Sequence, residues 1–180
     1  MDLRIKKTKN NIHNAFLQLR AKKPLERISV KELCEIAEIS KATFYLHYKD
    51  IYDLSETLQQ NVIKDILGYL SDPEDILSDP MKANNEIFTG SYANGTFINN
   101  LFGDSQFSKL PEFFEREIKN TLFRKHPELR DDMDANIRIT FQIMGNFYAY
   151  HEYVHKYGHD KVIATVLPDR AERYFSTSLF

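Results

Sequence analysis

Three helix-starting residues, Ser29, Ser40 and Asp50, fall close together in the stretch SVKELCEIAEISKATFYLHYKDIYDL, residues 29–54. A chain so punctuated can form only short helices and tight turns there, neither one long helix nor a strand. Ser29 can cap through its hydroxyl, and Glu32, three residues on, completes a capping box. Val30, Leu33, Ile36 and Ala37 then share one helical face. Glu38 and Ile39 make the turn, and Ser40 starts a second helix. In that helix the spacing of four puts Phe44 and Tyr48 toward a core. The same spacing puts Lys41, Tyr45 and Lys49 outward, with Ala42, Thr43 and His47 beside them. Asp50 caps the next helix, with Asp53 in its first turn.

An outward face of Lys, a small residue, Thr, Tyr and His suits the major groove of DNA. Lys and Tyr reach phosphates or base edges, Ala allows close approach, and the Thr methyl can meet a thymine methyl. Residues 8–54 closely resemble the helix-turn-helix domain of TetR/AcrR-type bacterial transcriptional regulators. The resemblance rests on Ile12, Ala15, Phe16 and Leu19, on Ile28-Ser29-Val30, on Ile36-Ala37, and on the string from Ser40 to Leu54. It implies an all-α protein. Residues 1–54 would be a three-helix DNA-binding head, joined by a long helix to an effector-binding and dimerisation body, residues 55–180. It implies a homodimer on a palindromic double-stranded operator, with repression relieved by a small-molecule effector. The DNA-binding candidates are Lys41, Ala42, Thr43, Tyr45, His47, Lys49, Ser29 and Ser40. Two positions depart from the family pattern. Glu38 stands where the family has Gly, so the turn either changes geometry or carries the roughly 1–2 kcal/mol of a left-handed non-Gly residue. Ile51 stands where the family has a phosphate-contacting Lys, and Lys49 is the expected substitute.

Charge agrees with this division. Residues 1–54 hold 11 Lys and Arg against 7 Asp and Glu, whereas residues 55–180 hold 13 against 19. A basic front on an acidic rear fits a nucleic-acid-binding unit on an unrelated body, with Arg4, Lys6, Lys7 and Lys9 as a basic arm. No apolar segment follows that arm and no run approaches the ~20 residues of a membrane helix, so a cytoplasmic protein without membrane contact is expected. The lone Cys34 cannot form an internal disulfide and reads as a buried, inert thiol.

Helices are expected at about 8–22, 29–37, 41–47, 51–70, 82–93, 95–103, 106–125 and 131–157, the last ending at Gly158 before a segment bent at Pro168. The body is rich in Phe and Tyr. Any one of these rings can fill a core. The resemblance implies an effector pocket among them, and Phe88, Tyr92, Phe102, Phe113, Phe141 and Tyr148 are the candidates. The apolar residues of 131–157 nearly surround their helix, which predicts a dimer interface at Phe147, Tyr148, His151, Val154 and His155.

Residues 151–155, His-Glu-Tyr-Val-His, also match the HExxH pattern of zinc hydrolases. Two His four apart can share a metal, with Glu as general base. The third ligand is misplaced, however. His159 follows His155 by four residues, and the metzincin pattern needs six. The expectation is no metal, no cofactor and no enzyme. A zinc hydrolase, or a helical adaptor that has lost DNA binding, are the alternatives.

Overall fold

The structure, a computed structural model, describes residues 3–157, of which Asp104, Ser105 and residues 149–157 by backbone only. Among the described residues every regular element is helical. The helices are α1 (Leu3–Arg20), α2 (Val30–Ala37), α3 (Lys41–Tyr45), α4 (Ile51–Leu67), α5 (Asp75–Ser78), α6 (Pro80–Ala93), α7 (Gly95–Phe102), α8 (Leu110–Lys125) and α9 (Met133–Tyr157). Short 3-10 turns cover Leu25–Arg27, Asp104–Lys109 and Pro127–Arg130. No described helix is long and apolar enough to cross a membrane.

Local chemistry sets the helix starts. The Ser29 hydroxyl accepts from the Glu32 N–H at 3.2 Å, that of Ser40 from the Thr43 N–H at 3.0 Å, and the Asp50 carboxylate from the Asp53 N–H at 2.8 Å. Each satisfies an amide that the first helical turn leaves without a partner. Asp79 does the same for α6, accepting from Lys82 N–H at 3.2 Å, with Pro80 at the first helical position.

α1, α2 and α3 pack around Ile12, Phe16, Leu33, Phe44 and Tyr48, all buried. Phe44 is 0% exposed, its ring edge-on to Tyr45 with centroids 5.4 Å apart. α4 extends this cluster into the C-terminal helices. Ile51, Leu54, Leu58, Val62, Ile63 and Ile66 join the N-terminal side chains to Leu101, Phe102, Leu110, Phe113 and Phe114 in one apolar body. A buried hydrogen bond from Gln59 Nε2 to the Leu101 carbonyl, 3.0 Å, ties α4 to α7. Gly90 permits the close approach of α6, since a Cβ there would sit 2.7 Å from the Ile66 carbonyl oxygen. The apolar cluster therefore runs without a break through α4, past residue 54. A second cluster, Ile76, Ala83, Ile118, Leu122 and Ile139, holds α5, α6, α8 and α9 together.

Several sequence expectations are corrected. The first helix, expected at about 8–22, runs from Leu3 to Arg20, and the one expected at about 41–47 ends at Tyr45. The helix expected over 106–125 is divided, because Pro111 starts α8 and the residues before it form a 3-10 turn. The stripe expected to continue helically to Leu70 ends with α4 at Leu67. Ile36 is more than a third exposed and does not join Leu33 and Ala37 in the core. The segment expected after Gly158 lies outside the described residues.

Candidate nucleic-acid interface and interhelical cavity

The turn between α2 and α3 is built on Glu38, whose φ of 54° and ψ of 44° are left-handed. The Ile39 N–H donates to the Cys34 carbonyl at 3.1 Å and the Glu38 N–H to that of Glu35 at 3.4 Å. This pair of bonds is a Schellman closure, whose left-handed position Gly usually fills. The chain keeps the turn and carries the strain. Cys34 beneath it is buried, and burial, partly offset by Lys41, raises its thiol pKa. A protonated thiol out of water is inert.

α3 then divides as its spacing requires. Phe44 and Tyr48 are buried, whereas Lys41, Ala42, Tyr45 and Lys49 are exposed and Thr43 and His47 half-buried. Tyr45 is 57% exposed. Ser29 and Ser40 lie at the exposed N-termini of α2 and α3, where their hydroxyls serve as caps. The Thr43 hydroxyl also sits 2.8 Å from that of Ser40, so its oxygen is engaged while its methyl remains available. The Lys49 N–H donates to the Asp53 carboxylate at 2.8 Å, which fixes the backbone under its side chain. Below the face, the Tyr48 hydroxyl lies 2.7 Å from His13 Nε2, linking α3 to α1. Burial, then Lys9, lowers the His13 pKa, and burial, then Asp53, raises that of Tyr48. Both groups therefore keep their neutral forms near neutral pH.

Two residues refine the expected set. Ile51 is buried in the core, so the position where the family carries a phosphate-contacting Lys offers no surface here. Leu46, which sequence reasoning missed, is 82% exposed beside Tyr45. Its signal was its place between the inward Phe44 and Tyr48 on a helix too short to bury three faces. The basic residues of the expected N-terminal arm are helical, within α1.

The C-terminal helices line a half-open cavity of about 550 Å³ between α6, α7, α8 and α9. Its wall includes Phe88, Tyr92, Phe107, Phe114 and Phe147, with Ile87, Ile98, Leu110 and Ile143 between them. Of the six rings expected there, Phe88 and Tyr92 line it. Phe102 and Phe113 do not, because they pack edge-on to each other in the shared core, centroids 5.6 Å apart, with the Arg116 guanidinium 4.6 Å from the Phe113 centroid. Phe141 and Tyr148 do not either, because they point outward, 70% and 65% exposed.

The polar part of the wall was not foreseen. Asn84, only 5% exposed, receives Gln142 Nε2 at 3.3 Å and Asn146 Nδ2 at 2.7 Å on its own Oδ1. The sole sequence signal was the pair Gln142 and Asn146 at i, i+4 within the apolar stretch from Phe141 to Tyr148.

The outer face of α9 shows Met133, Ile137, Phe141 and Tyr148, all exposed. Phe147, expected in the interface, packs tilted against Phe107, centroids 5.1 Å apart, at the cavity wall. The side chains of His151, Val154 and His155, and with them the HExxH string and His159, lie outside the described residues. Among the described residues no group of three or more His, Cys, Asp or Glu side chains is placed to hold a metal ion.

Comparison of the chain with protein-family models, with curated proteins and with solved structures finds no match.

Proposed function

We propose that this protein is a DNA-binding transcriptional regulator of the TetR/AcrR kind, acting as a homodimer on a palindromic operator. The observation that carries the reading is the division of α3. Two aromatic side chains, Phe44 and Tyr48, anchor a short helix capped by Ser40 and the turn after it, and Lys41, Ala42, Tyr45, Leu46 and Lys49 are left facing water. No packing reason requires Tyr45, the last residue of the helix, and Leu46, its C-cap, to stand exposed together. A major groove supplies one: Lys41, Ala42 and Thr43 meet base edges, while Tyr45, His47 and Lys49 hold phosphates. The exposed apolar stripe on α9 supports dimerisation. One such unit reads too few base pairs to find a single genomic site, and two on a two-fold axis double the reading frame. The cavity supports release by a small molecule, with repression as the default state.

Selection of bound DNA from a random pool tests the reading. The expected product is an inverted repeat with half-sites one helical turn apart. Recovery of no enriched sequence would overturn it. Thr43→Ser keeps the hydroxyl that meets Ser40 and removes only the methyl. It should cost about 1 kcal/mol at one base pair and leave the others unchanged. Lys49→Ala should weaken specific and random DNA alike and lower the salt slope by about one.

A second reading, a helical adaptor without DNA binding, draws on buried Ile51, which removes one phosphate contact. The same selection experiment separates the two.

A further inference from the structure

The cavity has a definite chemistry. Its described lining residues include no Asp, Glu, Lys, Arg or His. Taking a charged ligand out of water into such a wall costs several kcal/mol with nothing to offset it. The wall is aromatic on several sides, with Phe88, Phe114 and the tilted pair Phe107 and Phe147. Rings of this kind prefer flat apolar partners, offset-stacked or edge-on.

One group in the wall is incomplete. The Asn84 Oδ1 already receives two amide donors, from Gln142 and Asn146. That arrangement fixes Nδ2 as the other arm of the amide, and Nδ2 is buried with no hydrogen-bond partner. A buried donor without an acceptor costs about 1–3 kcal/mol, so such groups are uncommon in folded chains. Asn84 lies in the cavity wall, with Nδ2 just beneath the lining, so a small side-chain shift would bring it to an acceptor held there. The amides of Gln142 and Asn146 anchor the oxygen end of the side chain, so only a small motion of its amide is needed to make that bond.

We propose that the cavity binds a neutral, flat, largely apolar molecule carrying one carbonyl-type acceptor, and that Asn84 Nδ2 donates to that carbonyl. The proposal rests on the regulator reading for its purpose and on the cavity alone for its chemistry. It is therefore tested on the full chain without DNA.

Two probes of nearly equal shape isolate the carbonyl: 9-fluorenone and fluorene. Affinities come from titration followed by the NMR shifts of the protein. Wild type should bind fluorenone about tenfold or more tighter than fluorene, the effect expected when a buried donor gains or lacks its acceptor. Fluorenone-4-carboxylate, charged at neutral pH, should bind more weakly than either. Asn84→Asp keeps the oxygens that receive Gln142 and Asn146 and removes the donor, and it should bring the two neutral probes to near-equal affinity. Ser91→Phe narrows the cavity and should weaken both probes together. Equal affinities in wild type, a preference that survives Asn84→Asp, or no binding of either probe would each overturn the proposal. The wild-type comparison decides even where Asn84→Asp fails to fold. Failure of the DNA selection with the fluorenone preference intact would sink the regulator reading alone, and the reverse pattern would sink only the ligand assignment.

Discussion

The N-terminal and C-terminal helices use the same apolar alphabet to different ends. α1 to α3 bury Ile12, Phe16, Leu33 and Phe44 completely and leave Lys41, Tyr45, Leu46 and Lys49 on the surface of a filled core. α6 to α9 surround a cavity with Phe88, Phe107 and Phe147 and still leave Phe141 and Tyr148 exposed. A close-packed unit presents a fixed shape. A loosely filled one with bare aromatic surface is completed by what binds inside it and against it. The contrast shows that helix content alone says little about how a helical chain works. What separates the two regions is where the largest side chains end.

The largest expected effect is on packing. Phe44→Ala should destabilise the protein by about 3–5 kcal/mol, since it empties a filled core. Phe88→Ala, at the wall of an existing space, should cost about 1–2 kcal/mol because the lost ring had fewer neighbours. Urea unfolding measures both, and equal costs would mean that the cavity is closed in solution. Next comes assembly. The double variant Phe141→Glu/Tyr148→Glu should sediment as a monomer where wild type is a dimer, with its far-ultraviolet circular dichroism unchanged, because exposed positions tolerate charge to within about 0.5 kcal/mol. A variant that remains dimeric would remove α9 as the surface the C-terminal helices leave for a partner. A smaller effect is expected at the turn. Glu38→Gly should stabilise by about 1 kcal/mol, by releasing the left-handed strain. A loss of stability would show that the Glu38 side chain contributes more than its backbone costs.

The smallest effect divides the regions by pH. His13 has a pKa lowered by burial and by Lys9. Its contribution is whole above the unfolded-state value of 6.5 and is lost as pH falls through the folded-state value. His126 lies on the opposite side of the ledger. Glu74 at 2.9 Å and Glu128 at 3.1 Å hold it between α5 and the turn before α9, and their hydrogen bonds raise its pKa. Its contribution is whole below 6.5 and is lost as pH rises through the raised value. Amide-exchange protection at about pH 5.5 and about pH 7.5 should therefore shift in opposite directions in α1–α3 and around α5. His13→Gln and His126→Gln should each flatten one response and spare the other.

What could be read from the sequence was local. The caps at Ser29, Ser40 and Asp50 each involve residues three apart, so spacing alone reveals them. The inward turn of Phe44 and Tyr48 follows from helical period in the same way. The cavity was not legible on those terms. Phe102 and Phe88 look alike in a sequence, yet one packs against Phe113 and the other faces open space. That choice depends on how four helices meet. Asn84 was hidden for the same reason, since its partners Gln142 and Asn146 lie 58 and 62 residues away.

The shared core across α4 bears on how the chain can be dissected for study. A fragment cut after Leu54 would keep a single turn of α4, too short to persist as a helix. A fragment cut after Leu67 would keep the helix but lose Leu101, Phe102, Leu110, Phe113 and Phe114 from the cluster around it. Its bared leucines and isoleucines would then drive aggregation, and a failed binding assay on that fragment would report insolubility. A span that keeps the cluster with its covering side chains must hold all of α8 and reach Ile143 and Phe147 in α9.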